Sequence, residues 1–202
     1  MNHLQCLPVG PIGTNVYLRY LPEEKLMLIV DPGAEAERIA ERAKKSGAER
    51  YIVLLTHAHI DHIAGLPELS RALPLECVFL REPDHGMYWS RENAIPPMFP
   101  AAEGLPPVVS DVTVPGMEIL SVPGHTPGGS AFYFPAEGEL FAGDTLFDHS
   151  VGRTDLPGGS WQTLLRSIRE ELWRLPDEIC VYCGHGPATT IGIEKRENPY
   201  VR

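Results

Sequence analysis

Residues 56–62 read Thr-His-Ala-His-Ile-Asp-His, and no other stretch of this 202-residue chain limits its fold as tightly. Three imidazoles and a carboxylate within six residues are a dense set of metal donors. Neutral imidazole together with carboxylate suits Zn, Fe or Mn. The run follows Tyr51–Leu55, a continuous apolar stretch of β type, which predicts a strand buried on both faces. A rigid strand that delivers donors at its exit fixes their geometry. Four donors in one loop cannot enclose a pair of metal ions, so further donors must come from elsewhere in the chain. The competing reading, a polar loop of hydrogen-bonded histidines, does not account for this density.

The rest of the chain reads as alternating strands and helices. Strands are expected at Leu4–Pro8, Val16–Tyr20, Leu26–Val30 and Val78–Leu80, and in the second half at Glu118–Val122, Ser130–Phe134, Leu140–Ala142 and Ile179–Cys183. Asp31-Pro32-Gly33 is a turn. Ala34–Ser46 has Ala36, Ile39, Ala40 and Ala43 at helical spacing, with Gly47 placed to end the helix. Leu66–Leu73 is a shorter helix. Ser160–Leu175 is the clearest one, with Trp161, Leu164, Leu165, Ile168 and Leu172 on one face and Pro176 as its stop. Ser90–Gly116 carries six prolines and no period, so it reads as a long loop, of the kind that often borders a site. The two halves share a plan of strands, then a helix, then a strand ending in a histidine. That predicts one layered α/β domain over residues 1–202.

Other donors also sit where strands end, set among Gly/Pro turns: Val122-Pro-Gly-His125, Phe141-Ala-Gly-Asp144 and Val181-Tyr-Cys-Gly-His185. Each alone is an ordinary turn residue; together with the first cluster they form a donor set. Cys180 and Cys183 have zinc or redox spacing but lie on a predicted strand, where residues three apart point to opposite faces. They read as buried strand residues, and the four cysteines as reduced thiols.

With these motifs in order, the chain resembles the metallo-β-lactamase-fold hydrolases from Asp31-Pro32-Gly33 to Asn198-Pro199. The resemblance implies a four-layer αβ/βα sandwich, α/β (α+β) in class. It implies one metal ion held by His57, His59 and His125, a second by Asp61, His62 and His185, and Asp144 between the two. Zn is the first expectation for both ions, with Fe or Mn as alternatives. Asp31 would steady the ligand loop without ligating. Within the family the chain is most similar to short bacterial relatives of glyoxalase II, hydroxyacylglutathione hydrolase. Gly143-Asp-Thr-Leu-Phe147, Gly152-Arg-Thr-Asp-Leu-Pro-Gly158, Val181-Tyr-Cys-Gly-His185 and Glu197-Asn-Pro199 carry that similarity. No cysteine stands at a ligand position, unlike in the β-lactamase branch that binds metal through Cys. The C-terminal helical domain of glyoxalase II is not expected, since the chain ends 17 residues after His185.

The resemblance implies a thioesterase acting on S-hydroxyacyl-glutathione or a related thioester. A metal-bridging hydroxide would attack the acyl carbon, with Asp61 and Asp144 holding metal and hydroxide in register. A thiolate of pKa about 8.5 leaves without a dedicated acid. Arg153 matches the family's basic glutathione contact, while Asp155 and Pro187 stand where aromatic contacts are expected. His149 lies close enough to Asp144 in sequence to line the pocket. Tyr88, Trp89, Met98 and Phe99 could wall it or pack the long loop, and Lys195 and Arg196 could lend charge or sit in a solvated tail. Arg153 could instead pair with Asp155 or Asp148. The alternatives are a mononuclear iron persulfide dioxygenase using the positions of His57, His125 and Asp144, and a lactone hydrolase. All seven ligand positions are filled, against a binding module that keeps the fold without the chemistry.

Charge narrows the partners. Seventeen basic against 27 acidic residues give a net charge of −10, which disfavours nucleic acid and anionic membranes. There is no run of 18 apolar residues and no basic leader before Gly10. A cytoplasmic enzyme with a small-molecule substrate is expected.

Overall fold

The computed structural model describes residues 3–201. The chain divides into two compact units, Met1–Asp111 and Val112–Arg202, each with its own sheet and apolar core.

In the first unit the strands β1 (Leu4–Val9), β2 (Thr14–Leu21), β3 (Leu26–Val30), β4 (Arg50–Leu54) and β5 (Leu75–Phe79) lie side by side in sequence order. β1, β2 and β3 pair antiparallel; β3, β4 and β5 pair parallel. Tyr51–Leu54 is buried throughout, as a central parallel strand requires. Helix α1 (Ala36–Lys45) buries Ala36, Ile39, Ala40 and Ala43, the stripe read from the sequence, and Gly47 follows its end at φ 84°. Helix α3 (Leu66–Ala72) falls where its apolar pattern predicts.

Three short elements in this unit were not legible. They are α2 (Ile60–Ile63), a 3₁₀ turn at Glu82–Asp84 and α4 (His85–Tyr88). None is long enough to show a period. β5 also begins three residues earlier than Val78. The rest of the 90–111 stretch is irregular, held to β5 by Leu80 donating to the Val109 carbonyl at 3.0 Å.

The second unit orders its sheet β12-β11-β8-β7-β6. The strands are β6 (Glu118–Ser121), β7 (Ser130–Phe134), β8 (Glu139–Gly143), β11 (Cys180–Cys183) and β12 (Thr189–Thr190). Only β8 and β11 run parallel. A separate hairpin joins β9 (Leu146–Phe147) to β10 (Ser150–Val151). The expected helix at Ser160–Leu175 begins on schedule, Ser160 accepting from the Thr163 amide. It is α-helical only as α5 (Trp161–Ser167) and continues as a π turn over Ile168–Leu172. Leu164, Ile168 and Leu172 are buried, but Trp161 is 42% exposed, so the buried stripe is narrower than the sequence period implied. Lys195 and Arg196 lie on helix α6 (Ile191–Glu197), not in a solvated tail, and the Lys195 ammonium donates to the Leu175 carbonyl and to Asp177. This helix escaped the sequence pattern because a charged residue, Glu194, occupies its buried face.

Ile39, wholly buried in the first core, and Trp161 therefore separate in their cost on truncation. Ile39→Ala is expected to lose about 2–5 kcal/mol and Trp161→Ala within about 0.5 kcal/mol, read from urea midpoints.

Candidate metal centre

In both units candidate donors leave the carboxyl ends of neighbouring parallel strands, and His125 follows the antiparallel edge strand β6. β3 runs into Asp31 and β4 into Thr56-His57. β8 runs into Asp144 and β11 into Gly184-His185. Parallel neighbours end at the same edge of a sheet, so residues far apart in the chain converge there.

The first unit gathers Asp31, His57, His59, Asp61 and His62. Asp31 adopts a left-handed φ of 51°, and this turns its carboxylate toward β4. Its Oδ1 accepts from the Thr56 amide at 2.8 Å. Its Oδ2 accepts from the Thr56 hydroxyl at 2.6 Å and from His62 Nδ1 at 2.9 Å. With the Thr56 proton spent on Asp31, Thr56 Oγ1 accepts from His57 Nδ1 at 3.0 Å. One carboxylate thus sets the tautomer of two imidazoles and leaves each Nε2 as a lone-pair donor. Asp31 itself, engaged by three donors, is an orienting group.

His62 Nε2 lies 3.3 Å from Asp61 Oδ2. Donors at about 2.1 Å from a common ion stand roughly 3–3.5 Å apart, so this spacing fits two ligands of one metal. The His57 ring lies edge-on to His59 with centroids 4.8 Å apart, and 4.1 Å from the His62 ring.

The second unit gathers His125, Asp144 and His185. His125 Nδ1 donates to the Arg153 carbonyl at 2.7 Å, so this ring too keeps Nε2 for a ligand. His125 Nε2 and His185 Nε2 each lie 3.6 Å from Asp144 Oδ2, again near a ligand-to-ligand separation. The donor chemistry of both units therefore fits a divalent metal.

The other expected site residues stand apart from this pattern. The Arg153 guanidinium is forked onto Asp155, with both contacts at 2.7 Å and both side chains exposed. Arg153 holds the Asp155 carboxyl down at about 2. His149 sits at φ 51° with Asp148 and Glu197 within 4.0 Å of its Nε2. Tyr88 and Phe99 are buried, so they pack the loop, whereas Trp89 and Met98 remain exposed. Cys180 and Cys183 alternate in burial along β11, and all four cysteines are free thiols. Burial pushes the Cys183 thiol up to about 12, which leaves it protonated and unreactive.

Sequence reading missed the residues that hold the donors in place. Thr14 donates to Asp61 Oδ2. Asp84 accepts from the Ala58 amide at 3.2 Å, and Asn93 donates to the Ala58 carbonyl at 2.7 Å, fixing the peptides on either side of Ala58. Buried Glu194 accepts from the His149 amide, the Thr189 hydroxyl and the Asn198 amide group, and so ties the β9–β10 hairpin to α6. The resembling run Glu197-Asn-Pro199 was the one available hint, because Asn198 also donates to the Ser150 carbonyl.

The sequence profile of the Metallo-beta-lactamase superfamily matches residues 9–185. The hydroxyacylglutathione hydrolase GloC of Haemophilus influenzae is 35% identical over 98% of both chains. The crystal structure of the BLEG-1 B3 metallo-beta-lactamase superposes with a TM-score of 0.87 at 32% identity, covering 98% of this chain and 99% of that one. TTHA1623, in a di-iron-bound form, superposes with a TM-score of 0.84 at 36% identity, covering 97% and 99%.

One glycine in each unit makes room for a candidate ligand. A Cβ on Gly33 would collide with the backbone carbonyl of Asp61, and a Cβ on Gly152 with that of Asp144. Gly33→Ala and Gly152→Ala should each cost about 1–3 kcal/mol or more by overpacking against backbone. Gly86→Ala, where the added methyl meets open space, should stay within about 0.5 kcal/mol. Thermal or urea denaturation of the three variants checks this.

Proposed function

The chain belongs to the metallo-beta-lactamase superfamily, and from that premise we propose that it is a two-metal thioester hydrolase of the glyoxalase II type. His57, His59 and His125 would hold one ion, Asp61, His62 and His185 the other, with Asp144 shared. The observation that carries this reading is the fixed tautomer of His57, His62 and His125. Each has its Nδ1 engaged, which leaves Nε2 for a metal. Zinc is the proposed metal, with iron or manganese able to use the same nitrogen and oxygen donors; the di-iron form of a similar protein supports a pair of ions.

Bound divalent ions supply a water ionised near neutral pH and a Lewis acid for an acyl carbonyl. The chain's own residues then have defined tasks. Asp61 and Asp144 bring negative charge to the cations and keep the donor spacing. His57, His62 and His125 would turn Nε2 to the metal, because their Nδ1 protons are committed elsewhere. No side chain needs to protonate the leaving group, since a thiolate of pKa about 8.5 departs unaided. Family similarity to a hydroxyacylglutathione hydrolase supports an S-hydroxyacyl thioester. A glutathione carboxylate would reach Arg153 by displacing Asp155, a cheap exchange for an exposed pair. His149, beside Asp148 and Glu197, would favour the uncharged part of a substrate. A cytoplasmic setting with reduced thiols goes with this reading.

Metal content per chain, measured on anaerobically purified protein, comes first, followed by a panel of S-hydroxyacyl-glutathione, a simple acyl thioester, a lactone and a β-lactam. Two ions per chain and preference for the thioesters are expected. One iron per chain with oxygen uptake on glutathione persulfide would replace this reading with a dioxygenase. Activity on the lactone or the β-lactam alone would replace the substrate class.

Asp155 ionises at about 2, so the Arg153–Asp155 fork holds above that pH and is lost only as pH falls through it. The fork therefore adds no pH dependence to KM between about pH 5 and 9, because Asp155 stays ionised throughout. Asp155→Asn is expected to lower KM for a glutathione thioester severalfold with kcat unchanged, and Arg153→Ala to raise it, in steady-state kinetics.

A further inference from the structure

Thr14 opens β2 and is wholly buried. Its hydroxyl donates to Asp61 Oδ2 at 3.1 Å, across 47 residues of sequence, and the same oxygen lies 3.3 Å from His62 Nε2. The position of Thr14 is fixed from two sides. It pairs with Val9 across the β1–β2 hairpin, and the hairpin turn is held by Gly10 donating to Glu35 Oε1 at 3.1 Å. Arg38 on α1 ties Glu35 to the Pro8 carbonyl. A hydroxyl held this firmly limits rotation of the Asp61 carboxylate.

The His57–His59 segment is held partly by other groups. Asp84 and Asn93 hold the peptides flanking Ala58, and Asp31 orients His57 through Thr56 as it orients His62 directly. Asp31 thus serves both halves of the donor loop, whereas the Thr14 hydroxyl is given to Asp61.

We infer that Thr14 is a positioning residue that sets metal affinity at the Asp61–His62 half of the centre, through the carboxylate its hydroxyl reaches. The inference rests on the two-metal reading above. Hydrogen-bonding partners of ligating carboxylates typically change affinity by about 10–100-fold when removed. Thr14→Val keeps the shape and β-branching of the residue and removes only the donor.

The test is stepwise binding of Co²⁺ and Zn²⁺ to metal-free protein, by chelator competition and by the visible absorption of Co²⁺. Wild type, Thr14→Val, Thr14→Ser and Asp61→Asn are compared, with Thr14→Ala in reserve if the valine variant does not fold. The wild type should bind two ions in resolvable steps. Thr14→Val should weaken by about 10–100-fold the step that Asp61→Asn abolishes, and leave the other within about threefold. Thr14→Ser, which retains the hydroxyl, should restore wild-type affinity. If two ions bind to the wild type and Thr14→Val leaves both steps unchanged, or weakens both equally, Thr14 has no such role. If the wild type binds a single ion, the two-metal reading itself fails, and this is seen before any variant is made.

Discussion

The Asp31 carboxylate decides what two of the histidines in the first unit can do. It accepts from the Thr56 amide, the Thr56 hydroxyl and His62 Nδ1, and through Thr56 it also determines the proton position on His57. An imidazole ligates a metal only through an unprotonated nitrogen, so a fixed tautomer is a condition for the site. That bond network exists because β3 and β4 are parallel neighbours and end at the same edge. The left-handed backbone of Asp31 and the missing side chain of Gly33 let the turn lie against α2, which carries Asp61 and His62. Sheet order, an unusual backbone angle and a glycine all converge on one carboxylate.

The second unit reaches the same end by other residues. β8 and β11 are its one parallel pair, and Asp144 and His185 follow them. A backbone carbonyl, that of Arg153, takes the place of a carboxylate in fixing the His125 tautomer. Gly152 makes room for the Asp144 backbone as Gly33 does for Asp61. The stretch between Asp144 and Arg153 is pinned from behind by Glu194 and Asn198, buried polar groups whose several hydrogen bonds offset the cost of burial.

Outside the donors, the chemistry is anionic. The Arg153 charge is answered by Asp155, and His149 is flanked by Asp148 and Glu197. This goes with a net charge of −10 for the whole chain. Among the described residues no helix is long and apolar enough to cross a membrane.

Much of this was legible from residue order alone. β3 and β7 have the bounds their apolar runs predict, and the buried face of α1 is its helical stripe. The candidate ligands stand out because turn-bound His and Asp residues follow apolar strands. Local periodicity and composition carry that information, since a strand or helix is decided by neighbours a few residues apart. The short helix α2 and the helix α6 were hidden, one by its length and the other by the buried charge of Glu194. The supports were hidden for a deeper reason. Thr14 lies 47 residues from Asp61, Asn93 lies 35 from Ala58, and Glu194 lies 45 from His149. Residue types and their spacing determine which groups can ligate a metal. Which carboxylate orients the imidazoles, and which hydroxyl steadies a candidate ligand, is decided only when sheet pairing brings distant donors within hydrogen-bonding reach, because a hydrogen bond depends on position to within a few tenths of an ångström and on angle.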